Sequence, residues 1–183
     1  MKTRFNKFKT ALYLFLTLQL PITVIAQENI NTQFNRDTLL TAAKNMIEAT
    51  SYCTLITLDT TGSPAARTMD PFSPEKNMVI WFGTNKNSRK VREIKKDSRV
   101  ALFYEGPNGT GYVLIKGNAY LIDDPVKKKI YWKNEWKQFY DNQKENFTLI
   151  KVVPSRLEIV DYMRGIVGDS KTWAAPYVEF NQN

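Results

Sequence analysis

Between Trp81 and Ile94 the chain collects residue types that suit an anion. Thr84 and Ser88 bring hydroxyls, and Lys86, Arg89 and Lys90 bring cationic donors. An apolar run, Met78-Val79-Ile80-Trp81-Phe82, predicts a buried strand, which Gly83 and Thr84 are expected to close. Ser88 is placed to cap a helix continuing through Arg89, Lys90, Val91, Arg92, Glu93 and Ile94. A helix start presents unpaired backbone N–H groups and the positive end of a dipole. A strand-to-helix corner with these side chains can therefore hold a phosphate. The same spacing also suits a solvated basic helix start, and the stretch by itself does not choose between the two.

Other chemistries are excluded by composition. Histidine is absent, which removes Ser-His-Asp triads, Cys-His dyads and His-ligated metal sites. Proton transfer would fall to Lys, Tyr, Asp, Glu or a cofactor, and no catalytic residue or metal site is assigned. Cys53 is the only cysteine, so no intramolecular disulfide can form. Lying in the apolar run Tyr52 to Leu58, it suits a small buried hydrophobe better than a nucleophile.

The first residues have the three regions of a secretory signal peptide: basic Lys2, Arg4, Lys7 and Lys9, apolar Ala11 to Leu20, then Val24-Ile25-Ala26 before the expected cut. The run is short for a membrane anchor, and Gln19 and Pro21 interrupt its end. The expectation is a periplasmic or secreted bacterial protein, with no stable membrane insertion once residues 1–26 are removed. Residues 27–183 would form a single domain, with a core of about 37–162 and a tail of 163–183. Losing the leader's four basic residues lowers the net charge from +8 to +4. That modest charge, together with export, argues against a nucleic-acid partner.

These residues must be positioned by the rest of the chain. Asp37 is expected to cap a helix from Thr38 to about Glu48, whose Leu39, Leu40, Ala43, Met46 and Ile47 share a face. Alternation predicts strands over Ser51 to Asp59, Pro64 to Asp70, Arg99 to Glu105 and Gly111 to Asp123, with a bulge at Gly117. Asp124 and Pro125 should open a helix to about Tyr140, carrying Ile130, Tyr131, Trp132, Trp136 and Phe139 as core or interface residues. Two further strands, Phe147 to Val153 and Leu157 to Tyr162, are expected on either side of Pro154-Ser155. Many short strands, few helices and no βαβ alternation predict a small antiparallel β-barrel with helices outside, because closure removes exposed edges.

Four segments carry a resemblance. They are Ala66-Arg67-Thr68-Met69; Trp81-Phe82-Gly83-Thr84 with Ser88-Arg89-Lys90-Val91-Arg92-Glu93-Ile94; Gly111 to Gly117 followed by Ala119 to Asp124; and Leu149 to Pro154. Together they resemble the pyridoxamine 5′-phosphate oxidase-like flavin-binding split barrels, in the general-stress-protein branch, from about Asp37 to Tyr162. The resemblance implies a mainly β, antiparallel Greek-key split barrel with peripheral helices, assembled as a homodimer that binds FMN at its interface. It implies that Thr84, Ser88, Arg89 and Lys90 hold the FMN phosphate. Arg67, Thr68 and Met69 would run beside the isoalloxazine edge, and Trp81 and Phe82 would line the ring. The expected activity is a flavin-dependent oxidoreductase of unknown substrate. The alternatives are a non-catalytic flavin carrier or sensor, or a split barrel for haem or a deazaflavin. Vitamin B6 oxidation is disfavoured, because the end of the chain (Met163 to Gly168, Trp173 to Tyr177) has no Arg-His pair for pyridoxal phosphate.

Overall fold

The computed structural model describes residues 34–140 and 146–181. The expected leader and cleavage point lie outside them. Seven strands form one antiparallel sheet among the described residues: β1 (Cys53–Leu58), β2 (Pro64–Met69), β3 (Ile80–Asn85), β4 (Arg99–Glu105), β5 (Gly111–Ile122), β6 (Phe147–Asp161) and β7 (Tyr177–Glu179). Among the described residues three α-helices accompany them: α1 (Arg36–Glu48), α2 (Arg89–Lys96) and α3 (Pro125–Ile130). The strand order is β2-β1-β4-β5-β6-β3, with β7 also pairing with β6.

The sheet curls until its two ends nearly meet. Just beyond β2, Pro71 pairs with Phe82 of β3, and Phe72 N–H donates to Trp81 O at 2.9 Å. The inward face carries the main core, including Leu55, Phe82, Leu102, Tyr104, Ile115, Ile150 and Leu157. In β4 the alternation holds as expected, with Val100, Leu102 and Tyr104 buried. Helix α1 adds Leu39, Ala42, Ala43, Met46 and Ile47 to the same core. Burial pushes the Cys53 thiol up to about 12, so it is uncharged at neutral pH and packs as a hydrophobe.

Several boundaries differ from expectation, each for a local reason. Helix α1 is capped by Asn35 rather than Asp37: Asn35 Oδ1 accepts from Thr38 N–H at 2.8 Å, leaving Asp37 in the first turn near the positive dipole end. Strand β3 starts two residues late, because Met78 has φ 59° in the turn that joins Glu75 to Val79. It also runs through Gly83 and Thr84 rather than ending there, pairing them with Leu149 and Thr148. Residues 147–161 are one strand, not two. Pro154 sits opposite Gly117, where the β5–β6 register shifts, and such a bulge admits proline inside a sheet. A Cβ on Gly117 would run into Val153 O, so only glycine allows this approach.

The expected helix from Asp124 to Tyr140 breaks after one and a half turns. Asp124 does cap it, accepting from Lys127 N–H at 2.8 Å. Its lysine-rich sequence, however, offers no buried face. The aromatic residues that follow are drawn onto the outer side of the sheet instead. Tyr131 stacks on Trp81 at 4.4 Å, and Trp132 meets Phe147 edge-on at 5.2 Å. Asn134–Gln138 then makes a tight helical turn that buries Trp136. Gly83 explains how Trp136 fits, because a Cβ there would strike the Trp136 and Phe147 rings.

Candidate functional site

Thr84 stands near the end of β3 and Ser88 at the entrance to α2, with three residues turning the chain between them. Asn85 Oδ1 accepts from Asn87 N–H at 2.8 Å, and Ser88 N–H donates to Asn85 O at 3.0 Å. This turn folds the chain back until the Thr84 and Ser88 hydroxyl oxygens lie 3.3 Å apart. Ser88 has the extended backbone of a helix cap, yet its side chain makes no capping bond. Lys90 Nζ reaches the same place, donating to Thr84 Oγ1 at 3.1 Å.

Behind these donors lies a buried ionic group. Glu93, 2% exposed, faces inward from α2. Its Oε2 accepts from Thr57 Oγ1 and from Arg67 Nη2, each at 2.6 Å. Arg67 Nη1 donates to Thr57 Oγ1 at 2.6 Å and to Leu55 O at 3.3 Å. Arg89 Nε stands 3.0 Å from Glu93 Oε1. That approach is an ion pair without the direction of a hydrogen bond, so Oε1 has no hydrogen-bond partner among the described residues. Three cations (Arg67, Arg89 and Lys90) thus gather around one carboxylate, leaving two positive charges uncompensated among the described residues. The electrostatics register this excess: burial first, then the charges of Arg67 and Arg89, push the Lys90 ammonium below its ordinary 10.5, with Glu93 opposing. An anion beside Lys90 would reverse the shift.

The corner opens into a cleft of about 630 Å³, within the roughly 300–1,000 Å³ usual for small-molecule sites. Thr68, Met69, Thr84 and Lys90 line it on one side, Trp136, Phe139 and Tyr140 on the other. The far wall is tied to β2 through Asp70, which pairs with Lys133 and accepts from Trp136 Nε1 at 3.3 Å.

Of the nine residues expected to hold a cofactor, Thr68, Met69, Thr84 and Lys90 line this cleft, and Ser88 touches Thr84. Arg67 and Arg89 join the cluster through Glu93. Trp81 and Phe82 are not brought there. Phe82 is fully buried in the main core, while Trp81 points to the opposite face beneath Tyr131, its Nε1 donating to Glu75 Oε1 at 2.7 Å. Alternation along β3 sends adjacent side chains to opposite faces, and at this level of the strand both are covered, Phe82 by the main core and Trp81 by Tyr131.

Sequence reasoning missed Glu93, Thr57, Asp70, Lys133, Trp136 and Tyr140 as parts of this region. A signal existed for the first two. Thr57 follows Cys53 and Leu55 on the inward face of β1, and Glu93 sits beside Ile94 and Val91 on the buried side of α2. Polar groups at two inward positions imply a buried pair.

Comparison with known proteins fits this geometry. General Stress Protein 26 from Bacillus anthracis str. Sterne superposes with a TM-score of 0.63 at 19% identity, over 78% of this chain and 98% of that one. A pyridoxamine 5′-phosphate oxidase-related, FMN-binding protein from Nostoc punctiforme PCC 73102 does so with a TM-score of 0.56 at 17% identity, over 80% and 96%. An F420 reductase does so at 0.51 and 23%, over 62% and 94%. These likenesses establish the split-barrel fold. No curated protein matches the sequence. The family described as pyridoxamine 5′-phosphate oxidase like matches residues 40–166, well over half of the 183, and the chain therefore belongs to the pyridoxamine 5′-phosphate oxidase-like family.

Proposed function

We propose that the protein is an exported FMN-binding homodimer, acting as a flavin-dependent oxidoreductase. The observation that carries this reading is the donor set of the corner: two hydroxyls, a lysine and two arginines, with two positive charges uncompensated, opening into a cleft of suitable size. A phosphate monoester at neutral pH carries close to two negative charges, so charge and donor chemistry both fit it. Thr84, Ser88, Lys90 and Arg67 hold the phosphate, and Arg89 adds its charge through Glu93. Thr68 and Met69 border the ring. Trp81 and Phe82 belong to the packing that holds β3 in place. When bound, the flavin supplies hydride or electron transfer, so the absence of histidine is no obstacle.

The dimer is supported by exposed apolar side chains at or near the cleft, Tyr52 and Phe139 among them. Export is supported by the leader alone. A second reading, a deazaflavin in place of FMN, is favoured by the F420 reductase neighbour. One preparation tests all of these. Native mass spectrometry of the protein purified from its own host should show a dimer of chains starting near Gln27, carrying FMN, and its absorption spectrum should be that of a flavin. A chain starting at Met1 would refute export. A monomer that stays monomeric with FMN added would refute the dimer. A deazaflavin mass would favour the second reading, and failure to take up any flavin would end both.

A further inference from the structure

In that reading Glu93 serves only as the link to Arg89, yet it is the most deeply buried carboxylate in the region. A carboxylate next to an anion's seat repels the anion, so its presence there requires a reason. The hydrogen bonds supply one. The single Thr57 proton goes to Glu93 Oε2, and the Thr57 oxygen then accepts from Arg67 Nη1. Glu93 Oε2, Thr57 Oγ1 and Leu55 O together fix the Arg67 guanidinium at three of its five N–H groups. Two are left without a partner among the described residues. On its other side, Glu93 Oε1 draws in Arg89. Without this carboxylate, Arg67, Arg89 and Lys90 would repel one another. The arginines would swing toward solvent, Arg89 being already 64% exposed.

We infer that Glu93 is the positioning residue of the phosphate corner. Its carboxylate sets Arg67 and Arg89 beside Lys90 before a ligand arrives, and it trims three positive charges to the two that a phosphate monoester matches. The inference rests on the reading of the corner as a phosphate site, and it concerns preorganisation, which improves affinity by lowering the cost of ordering on binding.

The test compares FMN with riboflavin, which lacks the phosphate, on the full dimeric protein. Wild type, Glu93→Ala, Glu93→Gln, Arg67→Ala and the double variant Arg67→Ala/Glu93→Ala are titrated with both flavins, with thermal melts as a folding control. Glu93→Ala should weaken FMN by roughly tenfold or more, as expected for a lost charge-assisted contact, and leave riboflavin unchanged. The double variant should bind FMN about as Arg67→Ala does, since the two residues act as one unit. If Glu93→Ala does not fold, Glu93→Gln carries the test. Its amide still accepts from Arg67 but presents an N–H where Arg89 stood, so FMN should weaken less, and again alone. Tighter FMN binding in either variant would show that the carboxylate only repels. Equal losses for both flavins, or additive losses in the double variant, would make Glu93 a structural residue. Each of these overturns the inference while leaving the phosphate site intact. A wild type that binds FMN no better than riboflavin would instead remove the phosphate site, and this inference with it.

Discussion

The cleft has two walls built on opposite physics. On one, Thr84, Ser88, Lys90, Arg67 and Glu93 form a polar corner whose members are held by charge and direction. On the other, Trp136 and Tyr140 line the cleft and are backed by Trp132 and Phe147, the four rings packing edge-on or tilted against one another. Gly83 and Thr84, neighbours on β3, belong one to each wall: Gly83 lies under Trp136, and Thr84 receives Lys90. The polar wall is compact along the chain, most of it within residues 84–93. The aromatic wall gathers residues from 72 to 147. Different failures should follow from damaging each: the polar wall should fail by losing one ligand group, the aromatic wall by losing the fold around the cleft.

The largest effect is expected on the aromatic side. Trp136 is 7% exposed, packs against Phe72, Trp132, Tyr140 and Phe147, and bonds Asp70. Trp136→Ala should cost about 3 kcal/mol of stability, lowering Tm by roughly 10 °C, and should weaken FMN and riboflavin together. Calorimetry and paired flavin titrations measure both. A variant that loses FMN but keeps riboflavin would mean that the aromatic wall serves the phosphate, and the contrast between the walls would collapse.

The same difference explains what the sequence disclosed. Strands β1, β2, β4 and β5 were legible because period-two alternation and turn residues are local signals. So was the corner from Thr84 to Lys90, since one turn and one helix start bring its members together. The aromatic wall was not legible. Tyr131, Trp132 and Trp136 share a helical spacing, and only the stacking of Tyr131 on Trp81 and the edge-on contact of Trp132 with Phe147, both distant in sequence, pull the chain out of a helix. Trp81 and Phe82 lie away from the cleft for a related reason. A strand that looks apolar throughout does not tell which face a helical strap covers. Arg67 was found through the resemblance, but its dependence on Glu93 and Thr57 required the fold.

The middle-sized effect belongs to the polar wall. Lys90→Ala removes one cation and the donor to Thr84. Hydrogen bonds to charged groups contribute about 1.5–3 kcal/mol, so FMN affinity should fall by roughly one to two powers of ten. Riboflavin affinity should stay level and the melting temperature nearly so, because Lys90 sits in the cleft and not in either core. Isothermal titration with the two flavins gives the ratio directly. Parallel losses would merge the two walls into one structural unit.

The smallest effect sharpens the comparison by pH. Burial, followed by the charges of Arg67 and Arg89, holds the Lys90 ammonium below its ordinary 10.5 in the free protein. A bound phosphate favours the charged lysine, so Lys90 titrates higher in the complex than in the free protein. Binding then takes up a proton wherever the free lysine has lost one. FMN affinity must therefore decline as pH rises through the free-protein value, which lies below that of an ordinary lysine, by at most tenfold per pH unit. On the acid side the ligand changes instead: its second phosphate proton binds near pH 6, and affinity should decline again below that point. Riboflavin has no phosphate and should show neither limb. Lys90→Arg keeps a cation that does not titrate in this range, so the alkaline limb should vanish and the acid limb remain. Titrations of both flavins from about pH 5 to 10 read this out. An alkaline limb that survives Lys90→Arg would assign the proton to another group, and one shared by riboflavin would show that the proton is not linked to the phosphate.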